Sequence, residues 1–159
     1  MLKKGQQKKI ASTRKSTKNI PYFDKILEEL NSRLGENSKV LGVLVKKISF
    51  GAGSTAHINN SGNSAINLNT TLDGVPYYGK DANSAEIIFV RNEKELLPPD
   101  VDEKLRRIKF YYLLSEVSAI SSILMSSNYV LCAYYESPFI DQKGAYLYTY
   151  DSLSAVQVH

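Results

Sequence analysis

The sequence predicts an α+β domain: an antiparallel sheet of about five to seven strands carrying two helices, at about 21–35 and 101–126. A helical apolar period follows a basic N-terminal segment, and a longer apolar stretch follows Leu97-Pro98-Pro99-Asp100. Between and after them lie short apolar or alternating runs separated by turn residues. Strands in consecutive hairpins point to an antiparallel sheet with the helices on one face. The chain has 159 residues, 43% of them hydrophobic and 23% charged. That suits one domain with a sizeable core. Residues 1–19 are expected to be a basic, disordered tail and residues 20–159 the domain.

In the first helix, Phe23, Ile26, Leu27, Leu30 and Leu34 fall at i, i+3, i+4, i+7 and i+11, one face of a helix. Pro21 stands near its start and Gly35 just past its end, the punctuation helices prefer. The next run, KVLGVLVKKISF, has apolar residues at consecutive positions and predicts a strand covered on both faces. Asn60-Ser61-Gly62-Asn63 supplies turn chemistry for a hairpin. The returning arm alternates, with Ile66, Leu68 and Leu72 opposed to Asn67, Asn69 and Thr71. DGVPYYGKDANS reads as a loop and AEIIFV as a short strand.

Asp100 with Glu103 three residues on predicts a capping box for the second helix, expected to be long and largely buried. It begins with Lys104, Arg106, Arg107 and Lys109, then turns apolar on most sides from Phe110 to Leu124. NYVLCAYYES and GAYLYTYD predict a final hairpin around Pro138–Gly144, followed by a short strand, SAVQV.

The net charge of +4 is unevenly spread. Lys3, Lys4, Lys8, Lys9, Arg14, Lys15 and Lys18 carry the tail, which has no acid. They leave 13 basic against 16 acidic residues in the rest, a net of −3. Such a tail can hold phosphate backbones, an acidic partner or an anionic membrane. No apolar run approaches the roughly 20 residues that span a bilayer. The basic start lacks the apolar stretch of a secretory signal. One cysteine, Cys132, excludes an internal disulfide and fits a reducing compartment, so an intracellular setting, cytoplasm or nucleus, is expected.

Three stretches invite a functional reading. The first is a helix, a strand ending at Phe50 and then Gly53-Ser54. It resembles the start of a polymerase-β-type nucleotidyltransferase, whose Gly-Ser turn holds a triphosphate and whose acidic pair binds magnesium. Ala65-Ile66-Asn67 stands where that pair belongs, so the resemblance implies an inactive relative. The second, Gly74 to Lys80, has phosphate-loop spacing but ends in Asp81, and Pro76 removes a backbone donor. It reads as a surface turn. In the third, Tyr146, Tyr148 and Tyr150 alternate, so a strand puts the three rings on one face. With Lys143-Gly144 ahead of them they resemble the aromatic platform of RNA-recognition motifs, although Ala145 takes the first aromatic place.

Two histidines, His57 and His159, and a cysteine expected to be buried supply no nucleophile or metal-ligand pattern. The sequence therefore predicts no catalytic residue, no cofactor and no metal site. It points to a protein–protein interaction or scaffold domain, a subunit that pairs with itself or with another protein. Nucleic-acid binding through the tail and the tyrosine strand is the alternative.

Overall fold

The computed structural model describes residues 19–56 and 64–151. Helix α1 (Pro21–Leu34) leads into the long strands β1 (Lys39–Ala56) and β2 (Ser64–Tyr78), then β3 (Ser84–Val90). The three-residue β4 (Asp100–Asp102) and β5 (Arg107–Leu113) follow. A second helix, α2 (Val117–Ser126), precedes the hairpin β6 (Tyr129–Ser137) and β7 (Gln142–Tyr150). The strands form one sheet in the order β4-β5-β3-β2-β1-β6-β7. All neighbours are antiparallel except β3 and β5, which run parallel. Among the described residues, no helix is long and apolar enough to cross a membrane.

The sheet has a core on each face. Leu41, Val43, Leu72, Ile87, Ile108, Cys132 and Tyr134 pack on one side, where Leu124 of α2 joins them. On the other side Phe23, Leu27 and Leu34 of α1 pack against Val40, Leu44, Leu131 and Ala133. Those three α1 residues are the buried members of the period read from the sequence. The start of β1 and nearly all of β6 lie between the two cores, so both of their faces are buried. The consecutive apolar residues of Val40–Val45 are the sequence signature of that position. The two helices therefore cover opposite faces, where one shared face was expected.

The sheet curls until its edge strands meet. Lys143 Nζ of β7 lies 3.7 Å from Asp100 Oδ1 of β4. A gap of about 230 Å³ separates Leu97, Pro99 and Phe110–Tyr112 from Gly144–Tyr146. Pro98 and Pro99 have no N–H to offer along this seam, and side chains rather than a backbone ladder close it.

Two further expectations are corrected. The predicted helix over 101–126 is helical only from a 3-10 turn at Leu114–Glu116 and α-helical only from Val117. Upstream, β4 and β5 form a hairpin, with Asp102 Oδ1 accepting from the Leu105 N–H at 3.1 Å and Arg106 in the left-handed region at φ 50°. Ile108 and Phe110 point inward in alternation, and β5 gains a full ladder against β3 that no local propensity can report. Nor is the true helix largely buried: Leu124 alone is buried, and Ile123 and Met125 face outward. The second correction concerns Asp73–Ser84, expected to be a loop. Gly74–Tyr78 continues β2 along β1, and since β3 leaves β2 at Asp73, Pro76 sits where a missing N–H interrupts no second ladder. The predicted strand SAVQV and the tip of the β1–β2 hairpin lie outside the described residues.

Candidate interaction surface

The face of β6 and β7 on the α1 side is paved with tyrosine. Alternation puts Tyr146, Tyr148 and Tyr150 on one face, as the sequence predicts, and cross-strand pairing adds Tyr129 and Tyr135 of β6. Tyr135 crosses above Gly144, where an added Cβ would lie 2.3 Å from its ring. A side chain at Gly144 would therefore evict Tyr135. With only hydrogen there, Tyr135 stacks on Tyr146 with ring centroids 6.0 Å apart and planes 11° from parallel. Tyr146 in turn stands 6.0 Å from Tyr148.

At the other end of β7, Tyr150 stacks on Tyr22 of α1 at 5.4 Å and meets Phe23 edge-on at 6.3 Å. Tyr129 lies 6.5 Å from the same ring. The three tyrosines of β7 are not equally presented: Tyr146 is 46% exposed, while Tyr148 and Tyr150 are half-buried against the helix side. Tyr22 is 45% exposed, so the surface has an open ring at each end and packed rings between them. Periodicity exposed the β7 triad in the sequence. Tyr22, Tyr129 and Tyr135 escaped that reading because nothing local says which strand or helix lies alongside.

A further tyrosine fixes the helix to the sheet. A register shift beside Gly42 and Val43 makes Tyr77 the extra residue of β2, so Tyr77 and Tyr78 both pack against the outer core. The Tyr77 hydroxyl accepts from the Ile20 N–H at 2.7 Å and donates to Asp24 Oδ1 at 2.6 Å. It therefore holds the first turn of α1. Burial, then the hydrogen bond to Asp24, pushes the Tyr77 phenol up to about 12. Burial also raises Tyr148, with the neighbouring Tyr146 adding to the effect. Tyr135 is raised by burial, with the neighbouring Tyr146 adding to the effect.

Among the described residues, the other sequence-derived candidates are not gathered into a site. Gly53 and Ser54 pair with Asn67 and Ile66 inside the β1–β2 ladder, so the Gly-Ser turn of a nucleotidyltransferase is not formed. The Gly74–Lys80 stretch is mostly strand, without a helix behind it to cradle a phosphate. Cys132 is wholly buried, and burial drives its thiol far above the usual range, where a thiolate nucleophile is not available. Among the described residues, no three His, Cys, Asp or Glu side chains converge on a space for a metal ion. His57, His159 and the tail residues Lys3, Lys4, Lys8, Lys9, Arg14, Lys15 and Lys18 lie outside the described residues. No family model, curated protein or solved structure matches this chain.

Proposed function

We propose that this chain is a non-catalytic protein–protein interaction or scaffold domain, a subunit of a homo- or hetero-oligomer, working in an intracellular setting. The observation that carries the reading is the tyrosine surface of β6, β7 and α1, with Tyr146 and Tyr22 open at its two ends. Tyrosine offers large contact area with few rotors and a polar tip, which is why it is enriched where proteins meet. Rings already stacked on one another keep their shape on binding, so little side-chain entropy is lost. The same stacking covers ring faces that a nucleic acid would need for its bases, which favours a protein partner over the nucleic-acid alternative.

The test is affinity capture with the full chain and with a Tyr22→Ser/Tyr146→Ser double variant. A partner held by the wild type and at least about tenfold weaker on the variant is the expected result, as for loss of a central aromatic contact. Failure of the wild type to retain any protein, with no self-association by sedimentation, would overturn the reading. A labelled single-stranded oligonucleotide run alongside distinguishes the alternative. Binding that weakens steeply with salt and disappears on deleting residues 1–19 would assign the function to nucleic acid instead.

A further inference from the structure

We propose that the outward edge of β1 from Ile48 to Gly53 is a docking site for the same edge of a second copy of this chain. This names a partner within the interaction reading above, but on a surface separate from the tyrosine face. The ladder between β1 and β6 stops at Leu44, whereas the ladder between β1 and β2 continues to Ala56. Beyond Leu44, and among the described residues, β1 makes no backbone hydrogen bond on its β6 side. β3 joins β2 only between Leu68 and Asp73. Those β2 residues stand opposite Lys47–Ala52 in the β1–β2 ladder, so this part of β1 is the outer strand of a sheet continued by β2, β3 and β5, and its other edge is unpaired among the described residues.

An open edge presents a row of unpaired N–H and C=O groups, and proteins usually blunt it with charge, proline or brevity. The two outer edges of this sheet carry such devices. β4 is three residues long, contains Asp100 and Asp102, and follows Pro98-Pro99. β7 carries Lys143, tied to Asp100 across the seam. The β1 edge carries none beyond Lys47. From Ile48 to Leu72, 25 residues pass without one Asp, Glu, Lys or Arg, in a chain that is 23% charged. Its six edge residues, Ile-Ser-Phe-Gly-Ala-Gly, hold no proline either.

The chemistry of this edge selects its own copy. Two identical strands related by a two-fold axis pair antiparallel, each donating where the other accepts, so the edge is complementary to itself. It has no charge to repel that copy and none to recruit an oppositely charged partner. A pair centred on Gly51 sets Ile48 against Ser54 and Lys47 against Thr55, which keeps each lysine opposite a neutral residue. It also sets Phe50, half of whose surface is exposed at 51%, against Ala52. An extra residue at Lys46, where the β2 register slips, marks the other end of the usable edge. Gly51 is confined for a separate reason: a Cβ there would meet Asn69 Oδ1 at 2.4 Å, and Asn69 is held by Glu86.

Sedimentation velocity on the full chain, combined with an Ala52→Cys cross-link, tests the proposal. The one native thiol, Cys132, is buried, so a short bis-maleimide, which spans the roughly 7–8 Å diagonal between the two copies of Ala52→Cys, joins copies only through position 52. The wild type is expected to self-associate at micromolar concentration and Ala52→Cys to yield a covalent dimer. Phe50→Lys and Ala52→Lys, which place like charges across the two-fold axis, are expected to weaken association at least about tenfold. Their circular dichroism spectra should match the wild type, since both side chains are exposed. A wild type that stays monomeric to hundreds of micromolar, or a dimer that both lysine variants leave unchanged, overturns the proposal. If Tyr22→Ser/Tyr146→Ser dissociates the copies while Ala52→Lys does not, this edge is excluded and the tyrosine reading stands. If Ala52→Cys cross-links while the tyrosine variant captures partners as well as the wild type, the edge stands and the tyrosine reading falls.

Discussion

Strand β1 passes through two environments, and the contrast separates what stabilises this domain from what it offers to others. From Val40 to Leu44 it is paired with β6 and buried on both faces, with α1 on one side and the inner core on the other, and from Gly42 β2 pairs with its second edge. From Ile48 to Gly53 it keeps one partner strand, and Phe50 stands half in solvent. A single strand therefore anchors the fold at one end and, among the described residues, has an unpaired edge at the other. The sharpest way to break this comparison is to truncate one large side chain in each half. Leu41→Ala leaves a cavity between well-packed neighbours and is expected to cost about 2–5 kcal/mol. Phe50→Ala removes exposed surface and is expected to cost about 0.5 kcal/mol or less. Urea unfolding midpoints at constant slope measure both; similar losses at the two positions would mean that the arm is as much part of the core as the root.

The helix contact allows a finer test, because it depends on one phenol. Tyr77→Phe keeps the ring against Phe23 but removes the bonds to Ile20 and Asp24. A loss of about 1.5–3 kcal/mol at neutral pH is expected, the range for hydrogen bonds to a charged acceptor. The pH dependence carries a definite sign. The phenol titrates at 10.0 when unperturbed and is raised to about 12 in the folded chain. Between those values the unfolded chain gives up a proton that the folded chain keeps, so stability falls as pH rises. Below pH 10 the contribution is present in full. Unfolding midpoints taken from pH 8 to 12 should decline less steeply in Tyr77→Phe than in the wild type. Parallel curves would show that Tyr77 does not contribute to the alkaline loss.

What the sequence revealed follows the same division between local and long-range causes. Helix α1 was legible because Phe23, Leu27 and Leu34 repeat on one face and Pro21 and Gly35 bracket them. The buried root of β1 was legible as a run of consecutive apolar residues, and the β1–β2 and β6–β7 hairpins because each strand pairs with its neighbour in the chain. The stretch from Asp100 to Leu113 was misread: acidic residues followed by a mixed apolar run also satisfy helix patterns, and the parallel partner of β5 lies some 20 residues upstream. The alternation of Ile108, Phe110 and Tyr112 was the available signal, and Asp100 with Glu103 outweighed it. For the candidate surface, the β7 triad was visible as a period of two. The roles of Gly144 beneath Tyr135 and of Tyr22 beside Tyr150 depend on contacts between elements, which no spacing encodes.

The smallest expected effect lies at the seam, the counterpart of the open β1 edge. Lys143 lies 3.7 Å from both Asp100 and Glu136, and Glu136 also accepts from the Tyr134 hydroxyl at 3.0 Å. The Asp100 side chain is 71% exposed, so water screens the pair and its net worth is small. Lys143→Gln is expected to cost less than about 1 kcal/mol in low salt and to become neutral near 1 M salt, where screening acts within about 3 Å. Thermal melts of the variant and the wild type at both salt concentrations read the difference. The seam then differs from the β1 edge in kind: charge guards it without binding it tightly, and Pro98-Pro99 denies it a ladder. A loss of several kcal/mol that persists in high salt would place Lys143 among the groups that hold the curled sheet shut, and the protected edge would then be a structural joint.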